Sequence, residues 1–72
     1  MTNTHQDFTI QYHLPFEAQA GEPDTERVSL LDLGTAKDHA ADMMAGTDYI
    51  EARIYDEDFE TRTVTELARV AA

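Results

Sequence analysis

The densest group of potential metal ligands in this chain is the acidic run at 56–60, Asp-Glu-Asp-Phe-Glu. A calcium loop of the EF-hand type needs oxygen ligands at alternate positions, a glycine at its sharp turn and a bidentate glutamate at its twelfth position. Asp56 and Asp58 meet the first requirement, but no glycine follows and the twelfth residue from Asp56 is Leu67. We therefore interpret the run as a solvated turn whose acidic side chains protect a sheet edge from unwanted pairing.

The histidines and the candidate nucleophiles form no recognisable site. His39 lies between Asp38 and Asp42, a spacing that is common on exposed helix surfaces, and cysteine is absent. Ser29 is the single serine, and no histidine or aspartate stands in the spacing of a nucleophile elbow. A chain of 72 residues also has little room for a substrate cleft of a few hundred Å³. We expect no metal, no cofactor and no enzymatic activity.

Net charge is the most informative property of the chain. Fifteen Asp and Glu oppose five Lys and Arg, which gives a formal charge of −10, whereas small domains usually carry a net charge of magnitude about 2–8. Such a surface repels nucleic acid and anionic membranes and attracts basic proteins. Direct nucleic-acid binding is not expected, because the five bases are dispersed among acids and cannot neutralise a row of phosphates: Arg27, Lys37, Arg53, Arg62 and Arg69.

The distribution of apolar residues predicts one domain over 1–72, with a disordered amino-terminal segment at 1–6. Leu, Ile, Val and Phe are few for a globular protein, but they occur in periodic runs. Residues 1–7 are polar and do not resemble a signal peptide, and no window approaches the ~20 apolar residues of a membrane span. With no cysteine present, a soluble cytoplasmic protein is expected.

Periodicity predicts two strands in the first half of the chain. Apolar residues take every second position over Phe8–Phe16, a period typical of a strand with one buried face. Pro15 removes a backbone donor, which predicts that this end lies at a sheet edge or already leaves the sheet. Residues 17–26, with Gly21 and Pro23, predict a solvated loop. Residues 27–33 predict a short second strand, with a helical turn as the alternative.

A helix is predicted next, beginning at Gly34-Thr35 with Thr35 as its cap and Asp38 reaching back. Strong helix formers follow over 37–45, and Gly46 ends the helix in a left-handed conformation. The helix is too short to persist alone, so it must pack on a sheet. Its apolar stripe consists of Ala36, Ala40, Met43 and Met44.

Alternation over Tyr49–Tyr55 predicts a third strand, with Ile50, Ala52 and Ile54 on one face. A turn at 56–58 and a fourth strand at 60–66 follow, and residues 65–72 either extend that strand or form a short helix. The whole predicts an α+β fold of ββαββ type, a small antiparallel sheet with one helix packed on one face. The predicted core includes Ile10, Tyr12, Leu14, Met43, Ile50 and Ile54.

The acidic residues suggest a surface that imitates a nucleic acid. Residues on the same face of a strand are about 6.8 Å apart, which is twice the 3.4 Å rise between phosphates along one DNA strand. The carboxylates of two segments and of one helix face could therefore occupy phosphate positions in a partner. These candidate partner-binding residues are Glu17, Glu22, Asp24, Glu26, Asp38, Asp42, Asp48, Glu51, Asp56, Glu57, Asp58 and Glu60.

In its small size, its acidity and its lack of cysteine and of catalytic motifs, the whole chain resembles the anti-CRISPR and anti-restriction proteins. These are inhibitors of bacterial defence from phages and mobile elements. The resemblance lies in size and charge, with no shared motif, so no residue is assigned from it. It implies an inhibitor in the cytoplasm of a bacterial host that blocks the DNA or RNA site of a basic nucleic-acid-binding protein or complex. A CRISPR effector subunit is one candidate partner.

The alternative is a structural or regulatory interaction module, monomeric or homodimeric, whose acidity serves solubility. Its contact would be an apolar edge or a homodimer interface, anchored by the outward residues Tyr49 and Tyr55, since tyrosine is enriched at interface hot spots. Acidity that serves only solubility predicts an even spread of acids. The runs at 17–26 and 56–60 instead favour a local patch.

Overall fold

The computed structural model of the chain describes residues 5–58 and 60–72, which form four strands and one helix. The strands make a single antiparallel sheet in the order β2-β1-β3-β4, and the helix packs on one face of it. The predicted α+β fold of ββαββ type is confirmed. The elements are β1 (Gln6–His13), β2 (Asp24–Leu30), α1 (Leu33–Met44), β3 (Glu51–Asp58) and β4 (Thr63–Ala71).

Strand β1 is central and pairs antiparallel with both β2 and β3. Because β2 and β3 are therefore parallel to each other, the connection between them crosses β1, and α1 forms this crossover. We call the sheet face under α1 the helix side and the opposite face the open face. Tyr12 faces Asp24 and His13 faces Glu51, so the connections at 14–23 and 45–50 share one end of the molecule. The β3–β4 hairpin forms the other end.

The core lies between α1 and the helix side of the sheet, with its fully buried sheet residues on β1 and β3. Ile10 and Ile54 face each other across β1 and β3 and are fully buried. Alanines at the buried positions of α1 allow the helix to approach the sheet closely. The remaining buried apolar residues are Phe8, Tyr12, Ala36, Ala40, Met44 and Ala52.

The predicted core is confirmed at Ile10, Tyr12 and Ile54 and wrong at two positions, while Leu14 is half-buried. Met43 is 47% exposed because Met44, four residues after Ala40, takes the position that faces the sheet. Ile50 is 50% exposed because it precedes β3 and follows the end of α1, in the connection between them.

The boundaries of β1 and β2 differ from the prediction. β1 ends at His13 rather than Phe16, because the chain turns at Pro15, whose carbonyl accepts hydrogen bonds from the amides of Ala18 and Gln19 (2.8 and 3.0 Å). Phe16 is consequently 94% exposed. β2 begins at Asp24 and ends at Leu30, so the predicted loop at 17–26 is wrong for its last three residues.

The helix begins one turn earlier than predicted. Asp32, not Thr35, is the amino-terminal cap: its Oδ1 accepts hydrogen bonds from the amide of Thr35 (2.8 Å) and from the hydroxyl of Thr35 (2.9 Å). These bonds hold the pKa of Asp32 below its usual value. At the other end Gly46 has a φ of +74°, the left-handed conformation predicted for it.

The predicted turn at 56–58 is wrong, because β3 continues through Asp58 and pairs with β4 as far as Thr63. The hairpin connection follows, where Oδ1 of Asp58 accepts hydrogen bonds from the amides of Glu60 (3.0 Å) and Thr61 (3.3 Å). β4 then extends to Ala71, so the strand alternative for 65–72 is the one observed.

The predicted disordered segment at 1–6 falls mostly outside the described residues, as 1–4 are not among them. Gln6 is the first residue of β1 and faces Leu30. None of the described residues forms a helix with the length and apolar character needed to cross a bilayer.

Candidate protein-binding surface

The fold separates the charges into two unequal surfaces. Strand pairing places four acids and three arginines on the open face, a net charge of −1. The remaining eleven acids lie on the helix side of the sheet, on α1 and in the connections, together with Lys37 and Arg62, a net charge of −9. We call this second region the helix-side surface. The charged residues of the open face are Asp7, Arg27, Glu51, Arg53, Glu57, Glu66 and Arg69.

On the open face each arginine is paired with a glutamate. The nitrogen–oxygen distances are 3.4 Å for Arg27–Glu57, 3.1 Å for Arg53–Glu51 and 2.9 Å for Arg69–Glu66. The arginines are dispersed in the sequence but gathered on this face. Glu51 and Glu57, two of the predicted partner-binding residues, are neutralised here and lie apart from Asp56 and Asp58. If β3 had been predicted to reach residue 58, strand parity alone would have placed Glu51 and Glu57 on the opposite face from Asp56 and Asp58.

Two more of the predicted partner-binding residues, Asp24 and Glu26, hold the fold together. The hydroxyl of Tyr12 donates to Glu26, and Nε2 of His39 lies 2.8 Å from the same carboxylate oxygen, which ties α1 to β1 and β2. Burial and the bond to Glu26 raise the pKa of Tyr12. Tyr49 donates to Asp24 and packs on the ring of Tyr12 with centroids 5.4 Å apart. The alternating pattern predicted that Tyr49 points outward as an interface anchor, and this is wrong because its side chain bonds and packs within the fold.

The predicted partner-binding carboxylates that remain accessible lie on the helix-side surface. Asp38 and Asp42 are exposed one turn apart on α1, and Asp56 is exposed on β3. Glu17, Glu22 and Asp48 are exposed in the connections at one end, and Glu60 is exposed at the hairpin end. Glu51 and Asp58 mark the two ends of β3 and are about 23 Å apart. The twelve predicted residues thus form no single row.

This excess of negative charge should make the fold sensitive to ionic strength. Four exposed carboxylates form no hydrogen bond or ion pair with any described residue: Asp38, Asp42, Asp48 and Asp56. No ion pair therefore offsets the repulsion among these negative charges. We expect the melting temperature at pH 7.5 to rise between about 20 and 300 mM NaCl, since salt screens exposed charges. Calorimetry over this range checks the expectation, and a melting temperature that falls with salt would contradict it.

His13 is a half-buried titratable group at the loop end of the open face. It faces Glu51 on β3, and its Nε2 is buried with no hydrogen-bond partner among the described residues. Burial lowers the pKa of His13, and the positive charge of Arg53 lowers it further. The fold therefore favours the neutral imidazole.

His13 should make the fold less stable in mild acid. Its folded pKa lies below the unfolded value of about 6.5, so the unfolded state binds more protons as pH falls through this range. The free energy of unfolding then decreases over the same interval. In His13→Phe this loss should be absent. Urea titrations at pH 7.5, 6.5 and 5.5 compare the two proteins, and equal slopes against pH would refute this role of His13.

A groove of about 700 Å³ opens at the hairpin end of the sheet. Pairing between β1 and β3 ends at Thr9 and Tyr55, whereas β3 continues three residues further with β4 alone. The groove lies where the two strands stop pairing, and the ion pair between Arg27 and Glu57 borders it. Its lining combines apolar and acidic side chains, among them Asp7, Phe8, Val28, Asp56 and Leu67.

Among the described residues, no three His, Asp or Glu side chains are placed to hold a metal ion. Comparisons of the chain with protein-family models, with curated proteins and with solved structures found no match. The function must therefore be argued from the charged surface of this chain.

Proposed function

We propose that this protein is a non-enzymatic inhibitor that binds a basic nucleic-acid-binding protein or complex and covers its DNA or RNA site. The supporting observation is the separation of charge, because the helix-side surface carries a net charge of −9 while the open face is nearly neutral. In this proposal the carboxylates of Asp38, Asp42 and Asp56 take the place of phosphates. The resemblance in size and charge suggests a CRISPR effector subunit as partner and the bacterial cytoplasm as the place of action.

The spacing of the accessible carboxylates supports this role. Asp38 and Asp42 are separated by one helical turn, a rise of about 6 Å, and Asp56 and Asp58 by about 6.8 Å along β3. Both separations are close to twice the 3.4 Å rise between phosphates along one strand of duplex DNA. Because these side chains stand on regular elements, they lose little backbone freedom when a partner binds.

The chemistry of this surface selects a partner with a cationic groove. Complementary charge increases the rate of association and discriminates against acidic partners. A groove that normally holds DNA or RNA carries lysines and arginines spaced to meet phosphates. The same groove can therefore accept the helix-side surface, and the binding must then exclude the nucleic acid.

Capture from a bacterial lysate tests the proposal. The immobilised protein is exposed to lysate at about 50 and 500 mM NaCl, with and without excess DNA or RNA. We expect it to retain a nucleic-acid-binding protein or complex that salt elutes and that free nucleic acid displaces. Retained proteins that are insensitive to both salt and nucleic acid would contradict charge mimicry.

A further inference from the structure

Strand β4 presents an uncovered edge. It is the last strand of the sheet order, and no described residue pairs with its outer side. Natural edge strands are usually short or protected by proline, lysine, a β-bulge or a covering segment. β4 has nine residues, Thr63–Ala71, with neither proline nor lysine and with one acid and one base. Val64 is 63% exposed and Leu67 is 39% exposed.

A β-bulge at Leu67 changes which residues of β4 share a face. Glu66 faces Tyr55 and Ala68 faces Ile54, so Leu67 is an extra residue with no partner of its own on β3. In a regular strand Glu66 and Arg69 would point to opposite faces, because their positions differ by three. The bulge brings both onto the open face.

We propose that β4 pairs antiparallel with β4 of a second copy, about a two-fold axis perpendicular to the sheet, to form a continuous eight-stranded sheet. Facing residues of two strands must point to the same face. The register that meets this requirement on both sides of the bulge places Thr65 of one copy opposite Val70 of the other, and Val64 opposite Ala71. It also places Glu66 opposite Arg69 of the second copy, twice over.

The charge of β4 fits this occupant. Each chain carries a charge of −10, so two copies can approach closely only where the local charge is balanced. β4 is neutral, and its opposite charges meet across the axis, where such cross-strand pairs are favourable. The side chains of Arg69 and Glu66 are 54% and 35% exposed, so each can reach the second copy as well as its neighbour in the same strand.

The flank of α1 beside β4 also fits a second copy. A recess of about 380 Å³ lies between the carboxyl-terminal end of α1 and the end of β4, lined by Ala41, Met44, Ala45 and Ala71 among others. His39 is on the opposite flank of α1, bonded to β2. In the dimer both helices lie on the same side of the joined sheet, and the recess of each copy lies next to the shared β4 edge.

Sedimentation equilibrium at about 300 mM NaCl tests the dimer. We expect the wild-type protein at about 100 μM to have twice the 8.1 kDa chain mass. Arg69→Glu alone, or Glu66→Arg alone, places like charges opposite each other twice and should weaken association roughly ten-fold or more. The double variant Glu66→Arg/Arg69→Glu restores the opposite pairs and should restore the dimer.

Arg27→Glu is the matched control, since it makes the same change of charge on the other edge strand and should leave association unchanged. A wild-type mass of 8.1 kDa, an equal effect of Arg27→Glu, or a double variant no better than the single ones would each overturn the proposal. Open-ended assemblies, as expected if β4 pairs with β2 of another copy, would overturn it too. The masses are measured without a partner, so the result is independent of the proposed inhibition.

Discussion

Replacing Ile54 with alanine is expected to lower the free energy of unfolding by roughly 2–5 kcal/mol. Ile54 is fully buried, faces Ile10 across the two central strands and lies beneath α1. Its truncation leaves a cavity that the sheet cannot close, because β3 is fixed by pairing on both sides. Small domains have only about 5–15 kcal/mol of stability, so Ile54→Ala removes a large part of it.

Ile50→Ala is the matched control for this prediction. It deletes the same atoms only four residues earlier, but Ile50 is 50% exposed and precedes β3. We expect the control to cost less than about 1 kcal/mol, as is typical of substitutions outside the core. Urea unfolding of both variants measures the difference. Equal losses of stability in the two variants would show that α1 does not cover the helix side of β3.

The second large effect is expected in partner binding. Asp38→Asn/Asp42→Asn/Asp56→Asn removes three exposed carboxylates from the helix-side surface, and we expect binding to the captured partner to weaken roughly 10–100-fold. Asp58 is left intact because its carboxylate accepts two amides of the hairpin connection. The dissociation constant and the competition with DNA or RNA are measured for each protein at one salt concentration.

A triple variant of the open face controls for net charge. Asp7→Asn/Glu51→Gln/Glu57→Gln removes the same number of charges from the other side of the sheet. If charge mimicry acts through the helix-side surface, this control should bind almost as the wild type does. Equal weakening by both triple variants would show that binding depends only on the net charge of the protein, and that the helix-side surface is not the interface.

The elements of the fold were predictable where local pattern and tertiary structure agree. Period-two alternation identified β1 and β3, and the glycine at 46 marked the end of α1. The start of β2 was missed because Asp24 and Glu26, beside Pro23, have the composition of a loop. Their carboxylates bind Tyr49 and Tyr12, and no local pattern reveals partners so distant in sequence.

The acidity of the candidate surface could be predicted from the sequence, but the positions of its carboxylates in the fold could not. Net charge indicated an acidic protein, yet the sequence cannot show that Glu57 pairs with Arg27 of β2, or that Glu51 lies within 3.9 Å of Arg69 on β4. The placement of Asp56 was missed for a related reason. An acidic run suggests a solvated turn, but pairing with β4, from Asp56 with Thr65 to Asp58 with Thr63, keeps this segment in a strand.

The central position of β1 has a consequence for how the chain folds. β1 comes first in the chain, but one of its two partner strands lies about forty residues later, beyond β2 and α1. During synthesis a β1–β2 hairpin can form early, while the other edge of β1 stays open until the ribosome has released β3. Such long-range pairing is typical of domains that fold in milliseconds to seconds rather than microseconds. In that interval the nascent hairpin exposes Ile10 and Tyr12, and it is then that the chain is most exposed to chaperones and to aggregation.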